Sequence, residues 1–217
     1  GVAQANPVLT VDTLADSGPG SLRQAIEDAN GTAGQDEIRI TATGTVSLLS
    51  DLPIISEGAT IVGPGSRSFT LDGQGTSRTL EFFGISTGSI ALSGVTVTHS
   101  RQQGVYVGIS SVPVTISDVV ATQNVLGCGG GFRLYGVDAA VTITDSAATG
   151  NVSSYCSGGG LDAEGYTPGL ELTIVSSRFT DNITGAIGGG VAVANADVTI
   201  TDTEISRNTA SASGGGL

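Results

Sequence analysis

The stretch "VTITDSAATGNVSSYCSGGGLDA" occupies Val141–Ala163, and it is written more than once. "VTISDVVATQNVLGCGGGFRL" begins at Val114 and "VTITDTEISRNTASASGGGL" begins at Val198. The central Ile of each strand-like core falls at Ile116, Ile143, Ile174 and Ile200. Eight residues later comes Asn, at Asn124, Asn151, Asn182 and Asn208. A Gly triplet follows, then one apolar residue: Phe132, Leu161, Val191 and Leu217. The period is 26 to 31 residues, and an earlier degenerate copy carries Leu92 in the Ile place and Ser100 in the Asn place. Self-similarity at this period predicts a solenoid.

Within a unit the apolar alternation is two: Val141 and Ile143 are apolar, Thr142 and Thr144 polar. Segments of this kind, rich in Val, Ile and Thr, are strands. Three short strands per unit, broken by Gly and Asn, describe one coil of a parallel β-helix, with equivalent residues stacked in ladders. The Asn column is expected to bond along the stack and to take left-handed backbone angles at the turn. The Gly triplet is expected to supply conformations closed to β-branched residues. No leucine-rich spacing competes with this reading.

The first 35 residues differ. "VLTVDTLADSGPGSLRQAIEDAN" reads as a strand, a Gly-Pro turn and a short helix. Ser21 is the expected N-cap, Leu22, Ala25, Ile26 and Ala29 share one face, and Asn30-Gly31 ends the helix. An amphipathic helix laid over the end of a solenoid protects its apolar edge. Two parts follow: 1–35 as strand and capping helix, and 36–217 as about seven coils, from the remaining length over the period. The chain stops at "SGGGL", inside a repeat. That predicts an open end, calling for further coils in a longer protein or for end-on docking to a partner such as another copy. The lack of Met places the native start elsewhere, and "VAQA" at Val2–Ala5 has the small residues of a secretion-signal end, or of a plain leader.

"DSGPGSLRQAIEDAN" resembles the N-terminal motif of bacterial secreted β-helix proteins, whose signature runs Cys-Ser-Leu-Arg-Glu-Ala; Gly20 replaces the Cys and Gln24 the Glu. The repeats resemble those of chlamydial-type polymorphic outer-membrane proteins, with "FTDN" at Phe179–Asn182 and "GGGV" at Gly188–Val191; other coils carry Ala or Ile at the Phe place. The resemblance implies an all-β, right-handed parallel β-helix that is secreted or held at the cell surface. It implies no activity, because such folds serve adhesins, passengers and polysaccharide-cleaving enzymes alike.

The 217 residues carry a formal charge of -12, all eight basic residues are Arg, and only 13% of residues are charged. So acidic a chain repels nucleic acid and anionic lipid. No run approaches the length of a transmembrane span. Cys128 and Cys156 stand 28 residues apart, about one coil, so stacking predicts a disulfide between neighbouring coils in an oxidising compartment; two buried free thiols are the alternative.

Asp118, Asp145 and Asp202 form a column interrupted by Ser176. They are the candidate catalytic acids of a polysaccharide hydrolase, and Asp118 and Asp145 the candidate Ca²⁺ ligands. The structural alternative is an Asp that ends a strand and bonds its own turn. His99, the one histidine, aligns with Gln123, Gly150, Asp181 and Arg207, an exposed turn; its nearest candidate partner is Tyr106. Thr columns at Thr115, Thr142, Thr173 and Thr199, and at Ser117, Thr144, Val175 and Thr201, resemble ice-binding solenoids, although Thr is also a favoured exposed strand residue. "NGT", "NVS" and "NIT", at Asn30, Asn151 and Asn182, match the glycosylation pattern, as chance allows in a Ser/Thr-rich chain. The function expected is therefore a secreted or surface β-helix with a structural or adhesive role, binding carbohydrate or another surface protein, with no cofactor beyond a candidate Ca²⁺. A carbohydrate-active enzyme is the alternative and an ice-binding solenoid the minor one.

Overall fold

The computed structural model describes residues 8–125, 128–166 and 169–217. The Val2–Ala5 motif lies outside the described residues. In chain order, β1 (Val8–Val11) leads to α1 (Leu22–Asn30). The first coil holds β2 (Asp36–Ile40) and β3 (Gly44–Ser47). The second holds β4 (Ala59–Val62), β5 (Phe69–Asp72) and β6 (Leu80–Phe83). The third holds β7 (Ile90–Thr98) and β8 (Val105–Ser110), and the fourth β9 (Val114–Thr122) and β10 (Phe132–Val137). The fifth holds β11 (Ala140–Thr144), β12 (Ala147–Thr149), β13 (Val152–Ser153) and β14 (Leu161–Glu164). The sixth holds β15 (Leu170–Val175), β16 (Arg178–Thr180), β17 (Ile183–Thr184) and β18 (Val191–Ala194). The seventh holds β19 (Ala196–Thr201), β20 (Glu204–Ser206) and β21 (Thr209–Ala210).

Each strand pairs in parallel with its counterparts one coil away, giving a parallel β-solenoid of about seven turns with a single short helix. Face one follows the order β1-β2-β4-β7-β9-β11-β15-β19, using the first halves of β7 and β9. Face two is built from β3, β5, the second halves of β7 and β9, then β12, β16 and β20. Face three is β6-β8-β10-β14-β18. The register is the one the repeats dictate: Leu92 pairs with Ile116, Ile116 with Ile143, Ile143 with Ile174 and Ile174 with Ile200. Period-two alternation turns these side chains inward, and all but Ile200 are at most 1% exposed. Burying each aliphatic of this size contributes roughly 1.5–3 kcal/mol.

The cap forms as its sequence requires. The Ser21 side chain accepts from the Gln24 N–H at 3.2 Å, Gly31 closes the helix, and Leu22, Ala25, Ile26 and Ala29 are buried. Arg23 fastens it to the first coil by donating to the Ser50 carbonyl at 2.9 Å and the Asp51 carbonyl at 2.5 Å. β1 is not separate from the solenoid, since it pairs residue by residue with β2.

The Asn column is buried and bonded as a ladder. In each step the Oδ1 of one Asn accepts both the backbone N–H and the Nδ2 of the Asn one coil earlier, from Asn124 to Asn208. Ser100 continues the column, its N–H donating to Asn124 Oδ1 at 2.9 Å. The left-handed angles expected of the Asn residues belong instead to the position before them: φ is 46° at His99, 55° at Gln123, 64° at Gly150, 60° at Asp181 and 55° at Arg207. The Asn backbone has to stay in line with the stack to bond along it, so the corner is turned one residue earlier.

The Gly triplet does two jobs. Its first residue is left-handed, as at Gly158 with φ +67°. Its other two are needed for space: a Cβ on Gly160 would meet the Gly190 carbonyl at 2.5 Å and Asn182 Nδ2 at 2.9 Å. Cys128 and Cys156, just before two successive triplets, form a disulfide with Cα atoms 4.8 Å apart.

Candidate functional site

The Asp column lies at the corner between faces one and two. Asp118, Asp145, Ser176 and Asp202 all have φ of 49–50°, a left-handed turn that short polar side chains tolerate. Asp118 does not bond its own turn. It accepts from the Ser66 N–H at 3.1 Å and the Ser66 hydroxyl at 2.5 Å, two coils back. The column lines an open groove of about 760 Å³ together with Arg67, Arg178 and Glu204. Among the described residues, no three His, Cys, Asp or Glu side chains stand close enough to hold a metal ion. His99 is half exposed, and its partner is Asp72, with Nδ1 3.3 Å from Oδ1, in place of the expected Tyr106. Asn151 and Asn182, two of the glycosylation matches, are fully buried in the ladder.

The denser collection of functional groups is on face three. The sequence has five Phe and four Tyr. Phe69, Phe82, Phe132 and Phe179 fill the core. Of the other five, Phe83, Tyr106, Tyr135 and Tyr166 gather on face three; only Tyr155 lies elsewhere. The strands read "LEFF", "VYVG", "FRLY" and "LDAE", and alternation turns every second residue outward. Register then makes one outward column of Glu81, Tyr106, Arg133 and Asp162, and another of Phe83, Gly108, Tyr135 and Glu164. The signal was in the sequence. Aligning whole strands after the triplets, and not only their first apolar residue, brings Arg133, Tyr135, Asp162 and Glu164 together; Phe83 and Tyr106 sit in strands that no triplet precedes.

Two glycines shape this surface. A Cβ on Gly108 would strike the Tyr106 hydroxyl and ring, and a Cβ on Gly136 would meet three Tyr166 ring atoms within 3.0 Å. Both rings therefore lie close against bare backbone, in space that a side chain would take. Phe83 neighbours Tyr106 with centroids 6.3 Å apart, and Tyr135 meets Tyr166 edge-on at 5.4 Å. Arg133 stacks over Tyr135, its Cζ 4.9 Å from the ring centroid, and its Nε lies 3.8 Å from Asp162 Oδ2.

The electrostatics are those of a half-dry surface. Burial pushes the Asp162 carboxyl up to about 6; Arg133 opposes this and Glu164 adds to it. Burial also pushes the Tyr106 hydroxyl up, and a hydrogen bond to Tyr135 does the same for Tyr166. Arg78 is shared between Glu81 at 2.9 Å and Asp51 at 3.0 Å. Among the described residues, no cation pairs with Glu164.

The Thr-bearing columns of face one extend beyond the repeats that suggested them, back through Ala91 and Ser93 to Thr60 and Val62. Ala91, Val62 and Val175 interrupt the hydroxyl pattern.

No protein-family model matches the chain, and no curated protein matches it. Among solved structures it is similar to ORF18 of Geobacillus virus E2, at 9% identity and a TM-score of 0.34, over 94% of this chain and 60% of that one. The chain thus spans 60% of the length of that protein.

Proposed function

We propose that the protein is an extracellular or surface-borne rod that presents face three as an adhesive, carbohydrate-recognising surface. One observation carries this reading: four of the five aromatic side chains outside the core converge on one face, two of them packed against glycines. Exposed aromatic surface concentrated in this way marks a binding site, and rings with polar neighbours suit the alternating apolar and hydroxyl faces of sugars. The inter-coil disulfide suits an oxidising compartment. The resemblance of the capping segment to secreted β-helix proteins points the same way.

A hydrolase is the second reading, and its support is the corner groove, where Asp118, Asp145 and Asp202 line up with Arg67 and Arg178. Carboxylates one or two coils apart fall in the roughly 5–9.5 Å window of glycoside hydrolysis.

One experiment separates the two. The chain is applied to a glycan array and to a reducing-end assay with and without Ca²⁺, beside a Tyr106→Ala/Tyr166→Ala variant. Retention on glycans that the variant loses, with no new reducing ends, is the expected result. New reducing ends abolished by Asp145→Asn would replace adhesion with catalysis.

A further inference from the structure

The charges around Tyr106 and Tyr166, the two rings packed against glycines, suggest which glycan fits, provided that face three is a recognition surface as read above. Each ring has a carboxylate beside it. Glu81 is the register partner of Tyr106, and Glu164, the last residue of β14, lies two residues before Tyr166 in the chain. Of the two cations of the surface, Arg78 is bonded to Glu81 and Asp51, and Arg133 lies over the Tyr135 ring with its Nε 3.8 Å from Asp162, close enough for attraction but not for a hydrogen bond. Glu164 is left without a counter-charge among the described residues, half-buried in register between Tyr135 and Ala194. A carboxylate next to an open aromatic face is the arrangement that receives an ammonium group: the ring quadrupole and the anion attract it together, and partial desolvation strengthens both. The chain's net charge of -12 favours a cationic ligand at longer range and disfavours an anionic one.

We propose that face three binds a glycan bearing free amino groups, a polyglucosamine-type chain, with sugar rings stacked on Tyr106 and Tyr166 and an ammonium group set against Glu164. A basic peptide shares the charge but not the fit. Peptides that dock on β-structure mostly add a strand to an open edge, whereas β8, β10 and β14, which carry Tyr106, Tyr135 and Glu164, are paired on both sides and offer ligands only their outer surface.

The test is calorimetric titration of the full chain at pH 6 with four probes: glucosamine hexamer, its fully N-acetylated counterpart, cellohexaose and an oligolysine of equal charge. The expected order places the glucosamine hexamer at least tenfold tighter than the two neutral sugars and the peptide, with the preference shrinking as salt rises. Glu164→Gln should remove that tenfold preference and leave the neutral sugars unaffected. Tyr166→Ala should weaken every sugar, with circular dichroism verifying that both variants keep the fold. Neutral sugars binding as tightly as the amino sugar would overturn this inference and leave the adhesive reading standing. Oligolysine binding best would overturn it in favour of a peptide. Binding of none of the sugars, here or on the array, would overturn both.

Discussion

Asn151 Oδ1 accepts twice from Asn124, from its backbone N–H at 3.1 Å and its Nδ2 at 3.0 Å. Both donors are fully buried. Asn151→Ala orphans them and also frees the Ala121 carbonyl that Asn151 Nδ2 satisfies. Each unsatisfied buried group costs about 1–3 kcal/mol, so the variant is expected to lose about 2–5 kcal/mol. Urea unfolding measures this. A loss below 1 kcal/mol would mean that the ladder decorates the stack without holding it.

Asp36 is 1% exposed, and among the described residues neither carboxylate oxygen has a hydrogen-bond partner. It opens β2 on the inward column above Ala59. A buried polar group without partners is destabilising, so Asp36→Val is expected to raise stability by about 1–4 kcal/mol. The melting temperature decides. A lower value for Asp36→Val would reveal a partner that Asp36 holds in solution.

The disulfide closes a loop of 28 residues. In the loop-entropy account a cross-link of this span contributes about 3–4 kcal/mol. Cys128→Ser/Cys156→Ser is expected to lose that much, and mass spectrometry without reductant should recover the linked peptides. Free alkylation of both thiols in the unreduced native protein would contradict the bond.

Asp162 makes stability depend on pH. Burial disfavours the charged form of its carboxyl and pushes it up to about 6, above the ordinary carboxylate range. The folded chain thus holds this proton more tightly than the unfolded one. The contribution is fully present below the unfolded value and is lost as pH rises through about 6. A shift of this size corresponds to roughly 2–3 kcal/mol at most. Asp51 runs the other way. Arg101, with Arg78, holds it well below the usual carboxylate range, so its contribution is present above that range and fades only in stronger acid. Asp162→Asn should therefore flatten the unfolding free energy between pH 4 and 7. Parallel profiles for variant and parent would remove Asp162 as the cause.

Leu22 and Ile26 are at most 2% exposed beneath α1. Leu22→Asp/Ile26→Asp buries two unpaired charges and is expected to cost more than about 3 kcal/mol and to promote aggregation. A soluble double variant that melts with the parent would show that the helix caps nothing.

The stack was legible because its parts repeat. Ile116, Ile143 and Ile174 recur with Asn124, Asn151 and Asn182 at a fixed distance, and the same spacing aligned them in space. The cap was legible because Ser21, the apolar face and Gly31 are local signals. Face three was not, because its residues differ from coil to coil. Tyr106, Arg133 and Asp162 share a column but no chemistry, so the eye for repeats passes over them. The left-handed corner was misplaced for a related reason. His99, Gln123, Asp181 and Arg207 have nothing in common except the backbone angle they adopt.

The ladder also has a direction. Each Asn hands its own N–H, and one hydrogen of its Nδ2, to the Asn of the following coil. Its other Nδ2 hydrogen reaches back, as Asn151 does to the Ala121 carbonyl at 3.0 Å. Every coil is therefore completed by its successor. A coil that stands without its successor keeps one unfinished rung, the backbone and side-chain donors of its Asn, and only the next Asn oxygen along the stack fills it.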